Sequence, residues 1–450
     1  LTEAALTKRW TPLRYHDQQA RLWTDPHRFK VCWAGRRSGK TERAKRKGIE
    51  VALRAPPDID DFRVAFVAPV FRQAKDIYWN DLQLLIPREF ISSVSISELT
   101  ISLVTGAKIQ VMGMNNPAPI EGSPLDWIGY DEAGNMPTDA FWKHVYPSLD
   151  TPGRPGEAWI YGVPRPGGGF REIARKAQDP TNNDWGAYTW PSSDIVPAEQ
   201  IDVARAAMDA RLFAQEYEAS FVNFGGRIYY PFTRETHACE RLFYEPDRPL
   251  IFALDFNVEP GVAVVMQEQT YHGNRPEVAE RITAGIGEVF IPNDSNTPMV
   301  CRTLGENWGH HEGYVYLYGD PSGGARHTSQ TEGTDWDLAY NVLSRTFGER
   351  LRLMRGRDRN PAQRARCNAV NSRLESADGV IHALFDPNAC PELVKDFEEV
   401  VCKEGTNGEI DKDPAKFKYR THLSDGLAYY MHEQYPVDEQ PAFVDEPLLM

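Results

Sequence analysis

The sequence predicts an α/β chain of two domains, a mainly parallel sheet with helices on its faces followed by a mixed sheet. Three observations lead there. In the first half, short apolar runs alternate with helical patterns, the order that parallel strands and their crossover helices impose. The second half opens with three strand-like runs in close succession, after which strand and helix alternate. Between the halves, Gly225-Gly226 and the stretch from Tyr230 to Pro249, with three prolines, interrupt both patterns. A chain of 450 residues has room for two or three cores.

Taken in order, the first-half strands are expected at residues 29–35, 62–69, 108–114, 127–131 and 158–164. From 197 to 221 apolar residues recur near helical spacing and read as one long helix, with Ser192, Ser193 and Asp194 upstream as caps and Pro197 in the first turn. In the second half, strands are expected at 250–256, 262–267, 277–286 and 314–319, and helices at 336–346, 361–376, 391–402 and 423–432. This gives a first domain over 1–224 with a helical subdomain at 197–224, a linker over 225–248 and a second domain over 249–432. The tail, 433–450, holds five acidic residues, three prolines and no Lys or Arg, and reads as disordered and solvating.

Composition narrows the function classes. No apolar run reaches the ~18 residues needed to span a bilayer, and residues 1–9 lack the pattern of a secretory signal. Six cysteines without a C-x-x-C pair exclude a disulfide scaffold or a cysteine zinc site and fit a reducing compartment. A net charge of −14 confines any nucleic-acid contact to local basic patches.

The first motif with chemistry is Ala34-Gly35-Arg36-Arg37-Ser38-Gly39-Lys40-Thr41, placed between an expected strand and an expected helix. It matches the phosphate-binding P-loop, G-x-x-x-x-G-K-[ST], with Ala34 in place of the first glycine. Gly39 lets backbone N–H groups approach phosphates, Lys40 reaches the β- and γ-phosphate oxygens, and the Thr41 hydroxyl suits Mg²⁺. The strand 127–130 then ends in Asp131 and Glu132. An Asp at such a strand end holds the Mg²⁺ shell in P-loop NTPases, and an adjacent Glu polarises the attacking water as general base. Together these residues predict an ATPase using Mg²⁺. Upstream, Tyr15 and Gln18 or Gln19 are placed to sandwich and hydrogen-bond adenine.

The second half repeats one design three times. Asp255 ends a strand, Asp320 ends another, and Asp425 lies near the start of the helix expected at 423–432. Clustered carboxylates bind hard divalent cations, and two such ions activate water and stabilise the leaving oxygen of a phosphodiester. The order and strand pattern predict an RNase H-like nuclease site holding Mg²⁺ or Mn²⁺ on Asp255, Asp320 and Asp425. From Arg345 to Arg373 nine arginines stand against two acidic residues, which suggests a phosphate-binding surface. A second basic run, 28–47, overlaps the P-loop, and His310-His311 reads as surface loop.

These motifs together resemble the large terminase subunit of tailed bacteriophages. The resemblance covers essentially the whole chain and rests also on Tyr161-Gly162-Val163-Pro164, where the family has its coupling motif, on Gln215-Glu216-Tyr217, and on His422 to Tyr429 around Asp425. Phe256-Asn257 follows Asp255 where many relatives have a small residue. The resemblance implies an additional-strand P-loop ATPase fused to an RNase H-like endonuclease. Its implied partners are double-stranded DNA, the portal protein and procapsid, a small terminase subunit and further copies in a ring on the portal. It also implies a place in the host bacterial cytoplasm, docked transiently on the portal. The family usually borrows an arginine from the next subunit, for which Arg154 and Arg165 are candidates. Two rival readings remain: an ATP-dependent helicase-nuclease of repair, and a non-enzymatic capsid component.

Overall fold

The computed structural model describes residues 16–121, 124–165, 169–222, 226–256, 259–321, 334–354, 360–403, 406, 408–413 and 419–437. The chain divides into two compact units, Leu1–Ile201 with Ala214–Asn223, and Asp202–Phe213 with Phe224–Met450.

The first unit is built on an eight-stranded sheet. In chain order its strands are β1 Phe29–Ala34, β2 Arg63–Ala68, β3 Ile91–Ser95, β4 Thr100–Leu103, β5 Lys108–Gly113 and β6 Trp127–Tyr130. A two-residue ladder of β7 Asp150–Thr151 and β8 Arg154–Pro155 precedes β9 Glu157–Gly162 and β10 Trp185–Trp190. Across the sheet the order is β10-β1-β9-β6-β2-β5-β4-β3. The six strands from β10 to β5 are parallel, while β4 and β3 turn back as an antiparallel edge. Every residue of β1 and β6 is buried, as strands covered on both faces require. Between the P-loop strand β1 and the acidic strand β6 stands β9, the additional strand expected from the sequence.

Three strands of this sheet, and the strands Leu351–Leu353 and Ile381–Phe385 of the second unit, were not legible in the sequence. The chain at β3, Ile-Ser-Ser-Val-Ser, is polar and largely exposed on the sheet edge, so its pattern is that of a loop. The short β4 pairs with it, and Gly186 interrupts the aromatic run of β10. The helix expected over 197–221 is also not continuous. It forms Ala198–Ala207 and Ala210–Glu216, because the buried Asp209 side chain accepts from the N–H groups of Arg211 and Leu212 at 3.0 and 3.1 Å and starts a new helix there.

The second unit carries a six-stranded mixed sheet of RNase H-like form. Its strands are β11 Leu250–Asp255, β12 Gly261–Thr270, β13 Val278–Ile291, β14 Val315–Gly319, β15 Leu351–Leu353 and β16 Ile381–Phe385, in the order β15-β14-β11-β12-β13-β16. The first three are antiparallel neighbours, and β14, β15 and β16 join in parallel. Three of its helices matter below: α1 Gln363–Leu374, α2 Pro391–Glu399 and α3 His422–Gln434. A helix not foreseen, Thr297–Trp308, follows β13 and is capped by Asn296, whose side chain accepts from Met299 N.

Residues 226–248, expected as a linker, are part of this unit's core. Tyr229 and Phe232 are fully buried, with their rings 5.3 and 4.8 Å from Phe397. Arg227 bridges Val401 and Ala238 bridges Phe385 through the backbone. Prolines mark irregular backbone here, but the large apolar side chains among them decide that it is buried. Of the acidic tail, 433–434 complete α3 and 438–450 lie outside the described residues. All six cysteines are free thiols. Among the described residues no helix is long and apolar enough to cross a membrane.

Candidate nucleotide site and carboxylate site

The P-loop leaves the buried end of β1 and turns into the helix Lys40–Leu53. The turn has strict steric demands. A methyl group added to Gly35 would stand 2.3 Å from Ser192 Oγ and 2.5 Å from Tyr217 O, and Gly39 has φ +80°, the left-handed region that side chains avoid. Several bonds fix the loop from outside. Gly35 N donates to Trp190 O at 3.0 Å and Arg36 N to Glu216 O at 2.7 Å. Ser38 O accepts from Gln19 Nε2 at 2.9 Å and Trp190 Nε1 at 3.1 Å. Gln19 is the residue of the upstream helix that grips the loop. Gln18 is half-buried beside it, and Tyr15 lies outside the described residues.

Lys40 folds back onto the loop, its Nζ donating to Ala34 O at 2.8 Å and Gly35 O at 2.6 Å. Burial pushes its pKa below the ordinary lysine value. Thr41 Oγ1 donates to Asp131 Oδ2 at 3.1 Å, which joins the P-loop to the acidic end of β6. The same oxygen accepts from Tyr78 OH at 2.5 Å, and Tyr78 OH lies 2.8 Å from Tyr161 OH. Burial, with the Glu132 charge adding to it, pushes the Asp131 carboxyl up to about 7. A buried carboxylate and a hydroxyl so close together are hard oxygen donors of the kind Mg²⁺ takes, and an ion there would return Asp131 to its charged form. Glu132 sits at φ +52°, a costly conformation for a non-glycine residue, and its Oε2 accepts from Asn135 Nδ2 at 3.1 Å. Tyr78 was missed by sequence reasoning because it lies in a π-helical segment far from either motif.

In the second unit the parallel register pairs Leu254 of β11 with Gly319 of β14, so Asp255 and Asp320 leave adjacent strand ends. The start of α3 presses on the same point, since a methyl on Gly426 would meet Ala253 O at 3.1 Å. That start is held by the buried Asp396, which accepts from Ser424 N at 3.0 Å. Burial pushes the Asp255 carboxyl above the usual range, and the charges of Asp425 and Asp320 add to it, while a hydrogen bond with His422 Nδ1 at 3.1 Å opposes it. Phe256 is accommodated by Gly319, where a methyl would stand 2.9 Å from its ring.

Asp425 is engaged otherwise than the sequence suggests. Its Oδ1 accepts from Arg366 Nη1 and its Oδ2 from Lys412 Nζ, both at 3.0 Å. Asp255 and Asp320 have the donor chemistry of a divalent-ion site, but Asp425 has both oxygens committed to cations. No group of three or more His, Cys, Asp or Glu side chains placed to hold a metal ion is found among the described residues. Arg366, Lys412 and His422 are the partners that sequence reasoning did not assign.

No protein-family model matches the chain. A curated large terminase subunit of Escherichia phage T5 is 28% identical over 245 residues, 52% of this chain. The chain spans about half the length of that relative, 54%. The large terminase of a thermophilic bacteriophage has the same fold, with a TM-score of 0.56 over 93% of this chain and 98% of that one, at 14% identity. The same phage's protein in complex with ATP-γ-S gives 0.54. The chain is related to the phage large terminases.

The structure gives several residues singled out in the sequence partners of their own. Arg154 is held bidentately by Asp126, at 2.6 and 2.7 Å, and also by Asp61, so its guanidinium is already engaged within its own unit. Arg165 and Arg36 both pair with the buried Glu216, which gives the terminase Gln215-Glu216-Tyr217 element a physical role beside the P-loop. Four described arginines of the 345–373 run have hydrogen-bond partners within the unit. Arg350 donates to His311 O, Arg352 to backbone carbonyls, Arg366 to Asp425 and Arg373 to His382 O, while 355–359 lie outside the described residues. His311 is fully buried, not a surface residue; its ring bonds Tyr244 OH at 2.8 Å and Tyr314 O at 3.2 Å.

Proposed function

We propose that this chain is the ATP-hydrolysing and DNA-cutting subunit of a phage genome-packaging motor. In this reading the first unit drives double-stranded DNA into a procapsid through the portal, and the second cuts concatemeric DNA when packaging begins and ends. The observation that carries it is the Thr41 to Asp131 hydrogen bond, in a chain whose fold matches a large terminase over 93% of its length. Bound Mg²⁺ supplies positive charge to the β- and γ-phosphates. The chain's own residues do the rest. Lys40 exchanges the Ala34 and Gly35 carbonyls for phosphate oxygens, and Glu132 takes a proton from the attacking water. In the second unit Asp255 and Asp320 hold the divalent ion, and His422 orients the Asp255 carboxylate. Ring assembly, the small subunit and the host cytoplasm belong to the same proposal.

Packaging itself is the test. Wild-type protein with ATP, double-stranded DNA and portal-bearing procapsids is expected to render DNA resistant to nuclease, and Lys40→Ala is expected to abolish this. Strand separation by the chain without DNA protection would place it among the helicase-nucleases instead.

The pairing of Lys412 with Asp425 gives a further expectation. Lys412 is half-exposed, so its pairing is worth only about 1 kcal/mol, or roughly fivefold in an equilibrium. If it competes with a divalent ion for Asp425, Lys412→Met should shift Mn²⁺-induced thermal stabilisation to severalfold lower Mn²⁺. A shift to higher Mn²⁺ would instead make Lys412 a support of the site.

A further inference from the structure

The second unit contains a cleft, separate from the carboxylate site, whose walls come from four stretches of chain. Arg211 enters from the helix Ala210–Glu216, Arg227 from the strand-like segment after it, Arg364 from α1 and Cys402 from beyond α2. The free volume between these walls is about 30 Å³, and among the described residues no carboxylate lines it.

Two of its arginines are held in place without an ion pair among the described residues. The Arg211 guanidinium carbon stands over the Tyr230 ring, 3.8 Å from its centroid, and the Tyr230 hydroxyl is fixed by the buried Asp209. Arg227 is positioned by its backbone, which bridges Val401, while Cys402 N donates to Gly226 O at 2.8 Å. The acids near these two are otherwise engaged: Asp209 accepts from Tyr230 and two backbone N–H groups, and Glu398 pairs with Arg234. Cations brought to one cleft with no carboxylate among its described lining residues repel one another, and a bound anion removes that cost. Planar guanidinium groups favour phosphate in particular.

The cleft backs onto the carboxylate site through α1. Arg364 and Cys367 line it, while Arg366 between them holds Asp425, whose charge reaches the Cys367 thiol. We propose that this cleft holds a backbone phosphate of the DNA duplex and fixes the strand relative to Asp255 and Asp320. This rests on the DNA-cutting reading above. It assigns to Arg211, Arg227 and Arg364, from three separate stretches of chain, the grip on that phosphate.

Binding of a fluorescent DNA duplex, measured in EDTA across a salt series, tests it apart from cleavage. Each phosphate contact contributes about 0.9 to the slope of log affinity against log salt. The Arg227→Gln/Arg364→Gln double variant should bind several-fold more weakly with a slope shallower by about one. Arg302→Gln, on the helix Thr297–Trp308 that does not line the cleft, should match wild type. Arg364→Lys, which keeps the charge, should recover most of the slope and guards against a folding defect. Wild-type binding with an unchanged slope in the double variant would overturn the cleft assignment and leave the packaging reading intact. No duplex binding by wild type would overturn both. Stabilisation by inorganic phosphate that the double variant loses, with duplex affinity unaltered, would make this a small-anion site and overturn the proposal.

Discussion

Asp255→Asn is expected to lower divalent-metal-dependent cutting of duplex DNA by ~10³-fold or more while ATP turnover continues. The substitution keeps the shape of the side chain and removes its charge. Asp255 stands at a strand end beside Asp320, within electrostatic reach of Asp425, and bonded to His422. A metal held there is worth several kcal/mol in stabilising developing charge, and each step of about 1.4 kcal/mol is tenfold in rate. Because burial already disfavours the charged carboxylate, the asparagine protein should be at least as stable as wild type without metal. It should also lose most of the Mn²⁺-induced rise in melting temperature. Gel-based cleavage of duplex DNA beside an ATPase assay reads both halves. Undiminished cutting by a well-folded Asp255→Asn protein would remove this residue from the site.

Glu132→Gln should slow ATP hydrolysis by ~10²-fold or more while ATP still binds, the scale expected when a general base is lost. Glu132 joins the Thr41–Asp131–Tyr78 hydrogen-bond cluster only through its backbone N–H, which donates to Asp131 Oδ1, and its side chain bonds only Asn135 among the contacts described. Binding and folding should therefore survive. Glutamine can still accept from Asn135 but cannot take a proton from water. Lys40→Ala should differ in kind, since it removes a charge that meets phosphate in the ground state and so weakens binding itself. Single-turnover hydrolysis together with nucleotide titration separates the two. Normal turnover by Glu132→Gln would exclude it as the base and turn attention to other groups near Asp131.

The central strands of the two sheets, the P-loop, the acidic strand end and the strand-borne pair Asp255 and Asp320 are legible in the order of amino acids alone. Each is written locally. An apolar run followed by a glycine-rich turn, or closed by a carboxylate, needs only a few neighbouring residues to be recognised. Which side chains those motifs meet becomes visible only once each unit is packed. Tyr78 reaches Asp131 across 53 positions, Glu216 reaches Arg36 across 180, and His422 reaches Asp255 across 167. Such partners carry no signal in spacing, because the sheet order that joins them is set by packing of the whole unit. The same cause moved residues 226–248 into the core and buried His311. It also gave Asp425 to Arg366 and Lys412, whose charges are as visible in the sequence as that of Asp425 but whose positions are fixed only by the packing around α1 and α3.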